Sequence, residues 1–127
     1  MDSLLDLERR FWLAAGDGDF YRRHVVEDGL MVFPAPFGVM SKELVVAAVE
    51  ESPRWIKLEM TDVQTLRLAD SAAAIVYRAD AIDATGSAYS AFISSVYTRR
   101  EDGPWTLALH QQTPINPTED QEEIGSP

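Results

Sequence analysis

The sequence predicts an α+β fold, helices first and a mainly antiparallel sheet afterwards, on three observations. Before position 52 the apolar residues recur mostly at three- and four-residue spacing, the period of an amphipathic helix. From Trp55 onward the pattern changes to four stretches rich in β-branched and aromatic residues, about 55–68, 72–83, 88–100 and 105–113. Asp70-Ser71, Thr85-Gly86-Ser87 and Glu101-Asp102-Gly103-Pro104 punctuate them as tight turns. Finally, 127 residues with 46% hydrophobic and 9% aromatic content suffice for one core without metal or disulfide staples. Helices segregated from a meander cover one face of a sheet.

Each element has its own justification. Asp2 or Ser3 caps a first helix whose apolar residues are Leu4, Leu5, Leu7, Phe11, Trp12 and Ala15, with Glu8, Arg9 and Arg10 expected on its wet face. Gly16-Asp17-Gly18-Asp19 stops that helix and caps a shorter one over roughly 20–25. The Gly-x-Gly spacing also suits a phosphate loop, but no strand precedes it and no third glycine follows, which favours a helix–helix turn. Leu30–Phe33 is a short strand ended by Pro34-Ala35-Pro36, and Phe37–Met40 is its hairpin return. Ser41 opens a third helix through about Glu51, closed by Ser52-Pro53. The strands carry apolar residues on both faces, Ile75 and Tyr77 against Val76 and Ile82 for instance. A sheet buried twice needs a second cover, and a homodimer through that face supplies it. Residues 116–127 hold Glu119, Asp120, Glu122 and Glu123 with one large apolar residue, Ile124, so this acidic tail is expected to be mobile; a recruiting role is the alternative.

Composition removes several function classes. With no cysteine there is no thiol catalysis and no Cys-ligated metal. The two histidines, His24 and His110, are far apart in sequence, which argues against a structural zinc site. A net charge of -10 disfavours nucleic acid and anionic membranes as partners. The first residues lack a basic start and a long apolar stretch, and no run approaches the roughly 18 residues that span a bilayer, so a cytoplasmic single-domain protein is expected. No dinucleotide fingerprint, P-loop or metal-ligand cluster is present, and Asp17 and Asp19 offer too few oxygens for calcium, so no cofactor is expected.

Several segments carry a family resemblance. Ala15-Gly16-Asp17-Gly18-Asp19-Phe20 resembles the AGD-x-D turn between the first two helices of the nuclear transport factor 2-like superfamily. Glu27–Pro34 is similar to its "DDA…P" approach to the first strand. Residues 94–107 and His110–Pro114 resemble the closing hairpin of a SnoaL-like branch known as a domain of unknown function. The likeness covers about 1–115. It implies a cone-shaped, cystatin-like fold with three helices on the concave face of a curved sheet, enclosing a pocket for a small, partly apolar molecule. The fold hosts isomerases, cyclases, dehydratases, epoxide hydrolases and dimerisation modules, so it does not by itself assign an activity.

Counting from Gly86 and Gly103, the resemblance assigns Arg78, Asp80 and Ile82, then Ala91, Ile93, Ser95 and Tyr97, then Ala108, His110 and Gln112 to the concave face. Tyr77, Phe92, Val96, Trp105, Leu107 and Leu109 then fall on the convex face, barring a bulge. Phe11 or Trp12, Phe33, Phe37 and Trp55 form the lip and floor. The ketosteroid isomerase pattern fails position by position: Phe33 stands where the base precedes the strand-ending proline, and Arg9 and Ser95 stand at its oxyanion positions. Arg78-Ala79-Asp80 instead is similar to the Arg-x-Asp element of limonene-epoxide-hydrolase-type members, whose second acid falls at His110 here. On that likeness Asp80 orients His110, His110 takes the proton, and Arg78 holds an oxyanion. Trp12, Phe33, Trp55, Ser95, Tyr97 and Gln112 would contact the molecule. The alternative is structural: an Arg78–Asp80 pair that neutralises itself, a histidine satisfied by the backbone, and a filled pocket in a non-catalytic dimerisation module.

Overall fold

The computed structural model describes residues 2–116. Three helices, α1 (Asp2–Leu13), α2 (Gly18–His24) and α3 (Lys42–Glu50), accompany six strands, β1 (Val25–Phe33), β2 (Gly38–Ser41), β3 (Trp55–Ala69), β4 (Ala72–Asp83), β5 (Ala88–Thr98) and β6 (Thr106–Pro114). Local chemistry sets the helix starts. The Asp17 carboxylate accepts from the Phe20 amide at the head of α2, and the Ser41 hydroxyl accepts from the Leu44 amide at the head of α3. The Gly16 amide donates to the Val49 carbonyl, tying the α1–α2 turn to α3, so the Gly-x-Gly segment is a helix–helix turn. Among the described residues no helix is long and apolar enough to cross a membrane. The acidic tail, Asn116 apart, lies outside the described residues.

The strands form one sheet in the order β2-β1-β6-β5-β4-β3. All neighbours are antiparallel except β1 and β6, where the last strand slots in parallel beside the first. That insertion puts β6, with His110, in the middle of the sheet. β1 begins at Val25 rather than at Leu30 as the sequence predicts, and a register shift lies between Val25 and Leu30. Gly29 sits in that shift, where an added Cβ would lie 2.8 Å from a Val25 methyl carbon and 3.1 Å from the Val26 carbonyl oxygen. A side chain there would have to push the Val25 methyl aside.

Alternation along β4 and β5 then creates the core. Ala73, Ile75, Tyr77, Ala79 and Ala81 on β4, and Ala91, Ile93, Ser95 and Tyr97 on β5, all turn inward and are buried. On α1 the buried stripe is Leu4, Glu8, Phe11 and Trp12. The expected wet-face position of Glu8 is therefore corrected: its side chain is 1% exposed. The expected concave positions Arg78, Asp80 and Ile82 belong instead to the convex face, and Tyr77 takes the concave side. The reason is the turn. Ile82 pairs with Ala88, leaving residues 83–87 as an odd-numbered loop, so residues of the same parity share a face across β4 and β5.

β6 is also shifted. Tyr97 pairs with Leu107 but Val96 pairs with Leu109, so Ala108 is the extra residue of a bulge and both Leu107 and His110 point inward. Phe92 and Leu109 are convex and exposed, as expected, and Trp105 is buried with the Arg99 guanidinium 4.4 Å from its ring.

Leu4 anchors α1 with no exposed surface, whereas Leu13 is exposed. Leu4→Ala is expected to destabilise the protein by about 2–5 kcal/mol and Leu13→Ala by no more than about 0.5 kcal/mol, measured by chemical denaturation.

Candidate functional site

A chain of buried polar side chains joins α1 to three strands. Trp12 Nε1–H donates to the Tyr77 hydroxyl (2.9 Å), and the indole can only donate, so the Tyr77 proton goes on to Glu8 Oε1 (2.6 Å). The Ser95 hydroxyl donates to the same oxygen at 3.0 Å, and the Tyr97 hydroxyl donates to Glu8 Oε2. Since Ser95 gives its proton to Glu8, it accepts from His110 Nδ1–H at 2.8 Å. His110 Nε2 is then the acceptor for the Gln112 side-chain amide (3.0 Å), and the Gln112 carbonyl accepts from the Tyr89 hydroxyl (2.8 Å). This ordering satisfies each of these groups and fixes the tautomer of His110 as Nδ1–H.

The electrostatics follow from burial. Desolvation, reinforced by the negative charge of Glu8, pushes the Tyr77 and Tyr97 phenols far above their ordinary value, so both remain donors. Burial pushes the Tyr89 phenol up to about 12. His110 is held below its ordinary value, because burial penalises the imidazolium more than nearby Glu8 favours it.

Beside this network a cavity of about 540 Å³ opens between the helices and the concave sheet face. Its polar lining includes Glu8, His110 and Gln112; its apolar walls include Phe11, Met31, Met40, Val45 and Leu107. Trp12, Trp55 and Tyr89 cluster at one side, Trp12 to Trp55 at 5.2 Å and Trp55 to Tyr89 at 6.1 Å between ring centroids. Phe33 lies 5.8 Å from the His110 ring.

Of the residues the sequence singles out, the fold brings Trp12, Phe33, Trp55, His110 and Gln112 together around the cavity. Ser95 and Tyr97 lie behind it, both bound to Glu8. Arg78 and Asp80 are elsewhere. On the convex face the Arg78 guanidinium meets the Asp80 carboxylate at 3.0 and 3.2 Å, and the Ser90 hydroxyl donates to Asp80 at 2.6 Å. These bonds, Arg78 first, hold the Asp80 carboxyl below its ordinary value. The sheet separates Asp80 from His110, so the expected Asp80–His110 pair is corrected: the carboxylate behind His110 is Glu8, acting through Ser95.

Sequence reasoning missed Glu8 and Tyr77. The signal for Glu8 was its place four residues after Leu4 and three before Phe11, in the middle of the apolar stripe. Among the described residues no group of three or more His, Cys, Asp or Glu side chains is arranged to hold a metal ion.

Comparison with solved structures finds the same architecture repeatedly. A nuclear transport factor 2-like protein from Cytophaga hutchinsonii superposes with a TM-score of 0.76 at 18% identity, over 90% of this chain and 97% of that one. An uncharacterised protein with a cystatin-like fold from Caulobacter vibrioides gives 0.72 at 15% identity, over 98% and 95%. The association domain of C. elegans CaMKII gives 0.68 at 16% identity, over 88% and 93%. The fold is therefore the nuclear transport factor 2-like, cystatin-like one: three helices and a curved, mostly antiparallel six-stranded sheet. No family model matches the sequence, and no curated protein does.

The lowered His110 value has a stability consequence. Between the folded value and about 6.5 the unfolded chain binds the proton and the folded one does not, so stability is intact above about pH 6.5 and falls as the pH drops below it. His24, also lowered, mainly by burial, adds in the same direction. The expected outcome is a His110 ring titration midpoint below 6.5 by NMR, and a melting temperature lower at pH 5.5 than at pH 7.5.

Proposed function

We propose that this protein binds a small, partly apolar molecule in the cone cavity, its polar group against His110 and Gln112, and that acid–base chemistry on that molecule runs through His110. The observation that carries the reading is the unfilled cavity of about 540 Å³ with polar groups at one side of an aromatic and aliphatic wall. Its size and lining are those of small-molecule sites, apolar with a few convergent polar groups. The volume favours a ligand over a filled pocket. His110, neutral and backed by Ser95 and Glu8, is suited to accept a proton once Gln112 or a ligand frees Nε2. We assign the chain to the SnoaL-like branch on residues 94–107 and 110–114, and steroid-type isomerisation is disfavoured by Phe33 and Ser95 at the positions that would need carboxyl groups.

A neutral apolar dye such as Nile red is expected to bind saturably at one site per chain and to quench tryptophan emission. Ala48→Phe, which adds a ring to the cavity wall, should weaken this binding at least tenfold while the melting temperature stays within a few degrees. Non-saturable uptake, or no effect of Ala48→Phe, would count against the cavity as the site.

A second reading concerns the opposite face, and we propose that it pairs with a second copy of the chain. Leu66, Val76, Phe92 and Leu109 share the convex face through their strand registers and are all exposed. Around them, Arg78 and Asp80 form a self-neutralised pair, which costs less to bury than either charge alone. An association domain among the structural relatives supports self-association. Sedimentation equilibrium should give a particle of twice the chain's 14.2 kDa, and Phe92→Glu should shift it to monomer while leaving dye binding intact.

A further inference from the structure

We infer that the molecule taken by the cavity is an apolar organic cation, a protonated or quaternary amine on a hydrophobic skeleton; this rests on the cavity being a ligand site. The inference starts from Glu8. Its carboxylate lines the cavity and is 1% exposed, yet among the described residues its polar partners are the hydroxyls of Tyr77, Ser95 and Tyr97, and no ion pair reaches it. Two donors occupy Oε1 and one occupies Oε2. A carboxylate offers about four acceptor directions, so one on Oε2 remains. A buried negative charge is ordinarily matched by a cation, and here the protein supplies none.

The rest of the lining points the same way. Among the described residues no Lys or Arg lines the cavity, while acidic Asp83, beside Trp55 in the strand register, is among its lining residues with its carboxylate exposed and bonded to the 83–87 turn. The Asp83 carboxyl is held below its ordinary value by the Thr85 hydroxyl, with the Ser87 and Thr85 amides adding to it. His110 contributes no positive charge, being kept neutral by burial. The walls offer ring faces, Trp12, Trp55 and Tyr89 in mutual contact and Phe33 beside His110. Such faces attract ammonium groups, tryptophan most strongly. A low-dielectric cleft with acidic groups, on a chain of net charge -10, concentrates cations and repels anions. An anionic ligand would meet the like charge of Glu8, and a neutral one would leave Glu8 without its match.

The test uses the full chain and three probes on one skeleton: naphthylethylamine, naphthylethanol and naphthylacetate at pH 7, titrated by tryptophan quenching and calorimetry. The amine is expected to bind at least about tenfold tighter than the alcohol, with the carboxylate weakest. Glu8→Gln should bring the amine to within about twofold of the alcohol. Equal or tighter binding of the alcohol or carboxylate would overturn the cation assignment and leave the cavity reading standing. Absence of saturable binding by all three probes would overturn both. Should Glu8→Gln fail to fold, the ranking on the unmodified chain decides alone.

Discussion

The arrangement of this molecule hangs on one buried carboxylate. Glu8 leaves α1 in the middle of its apolar stripe and is met by hydroxyls from β4 and β5. A charge in that position is tolerable only if it is hydrogen-bonded, so the three donors are a condition of docking α1 against the sheet. Each also loses its partner if Glu8 is removed, at about 1–3 kcal/mol for a buried unsatisfied group. The same bonds fix the side chains that shape the cavity: Tyr77 holds the Trp12 indole, and Ser95 holds the His110 ring. Helix docking and site geometry are thus one event.

Much of the fold was legible because its signals are local. Helical spacing, the caps at Asp17 and Ser41 and the turns at Asp70, Gly86 and Gly103 define segments whose ends the structure moves by only a few residues, β1 excepted. The β1 start was hidden because Gly29 and acidic Glu27 and Asp28 look like a turn, whereas they occupy an irregular strand. Which face each strand presents was harder, since it depends on parity. The loop 83–87 has Asp83 accepting from the Thr85 and Ser87 amides, which builds a five-residue connection where a count from Gly86 assumes a different length. One residue of difference moved Arg78 and Asp80 through the sheet and brought Tyr77 in.

The site was legible in part for the same reason. His110, Gln112, Trp12, Phe33 and Trp55 all line one cavity, because the fold likeness placed their strands and helix correctly. Glu8 was not found because a glutamate between Leu7 and Arg9 conforms to the usual exposed residue. Periodicity alone would have flagged it, but the donors that make its burial tolerable lie on strands far along the chain, and nothing local announces them.

That distance has a physical consequence. Glu8 is 89 residues from Tyr97, 87 from Ser95 and 69 from Tyr77, and Trp12 is 65 from Tyr77. β6, which brings His110, is the last strand in sequence and must slot between β1 and β5. Loop closures this long bear their entropy before any contact repays it, and such pairings form late relative to local helices and hairpins. The polar end of the cavity therefore has no partial version. A chain with its meander formed but α1 undocked has Glu8 in water and Trp12 away from Tyr77, and one with β6 undocked has His110 untethered from Ser95. The site therefore forms only with the fold, and a substitution that undocks α1 at Leu4, Glu8 or Trp12 dismantles the site as well.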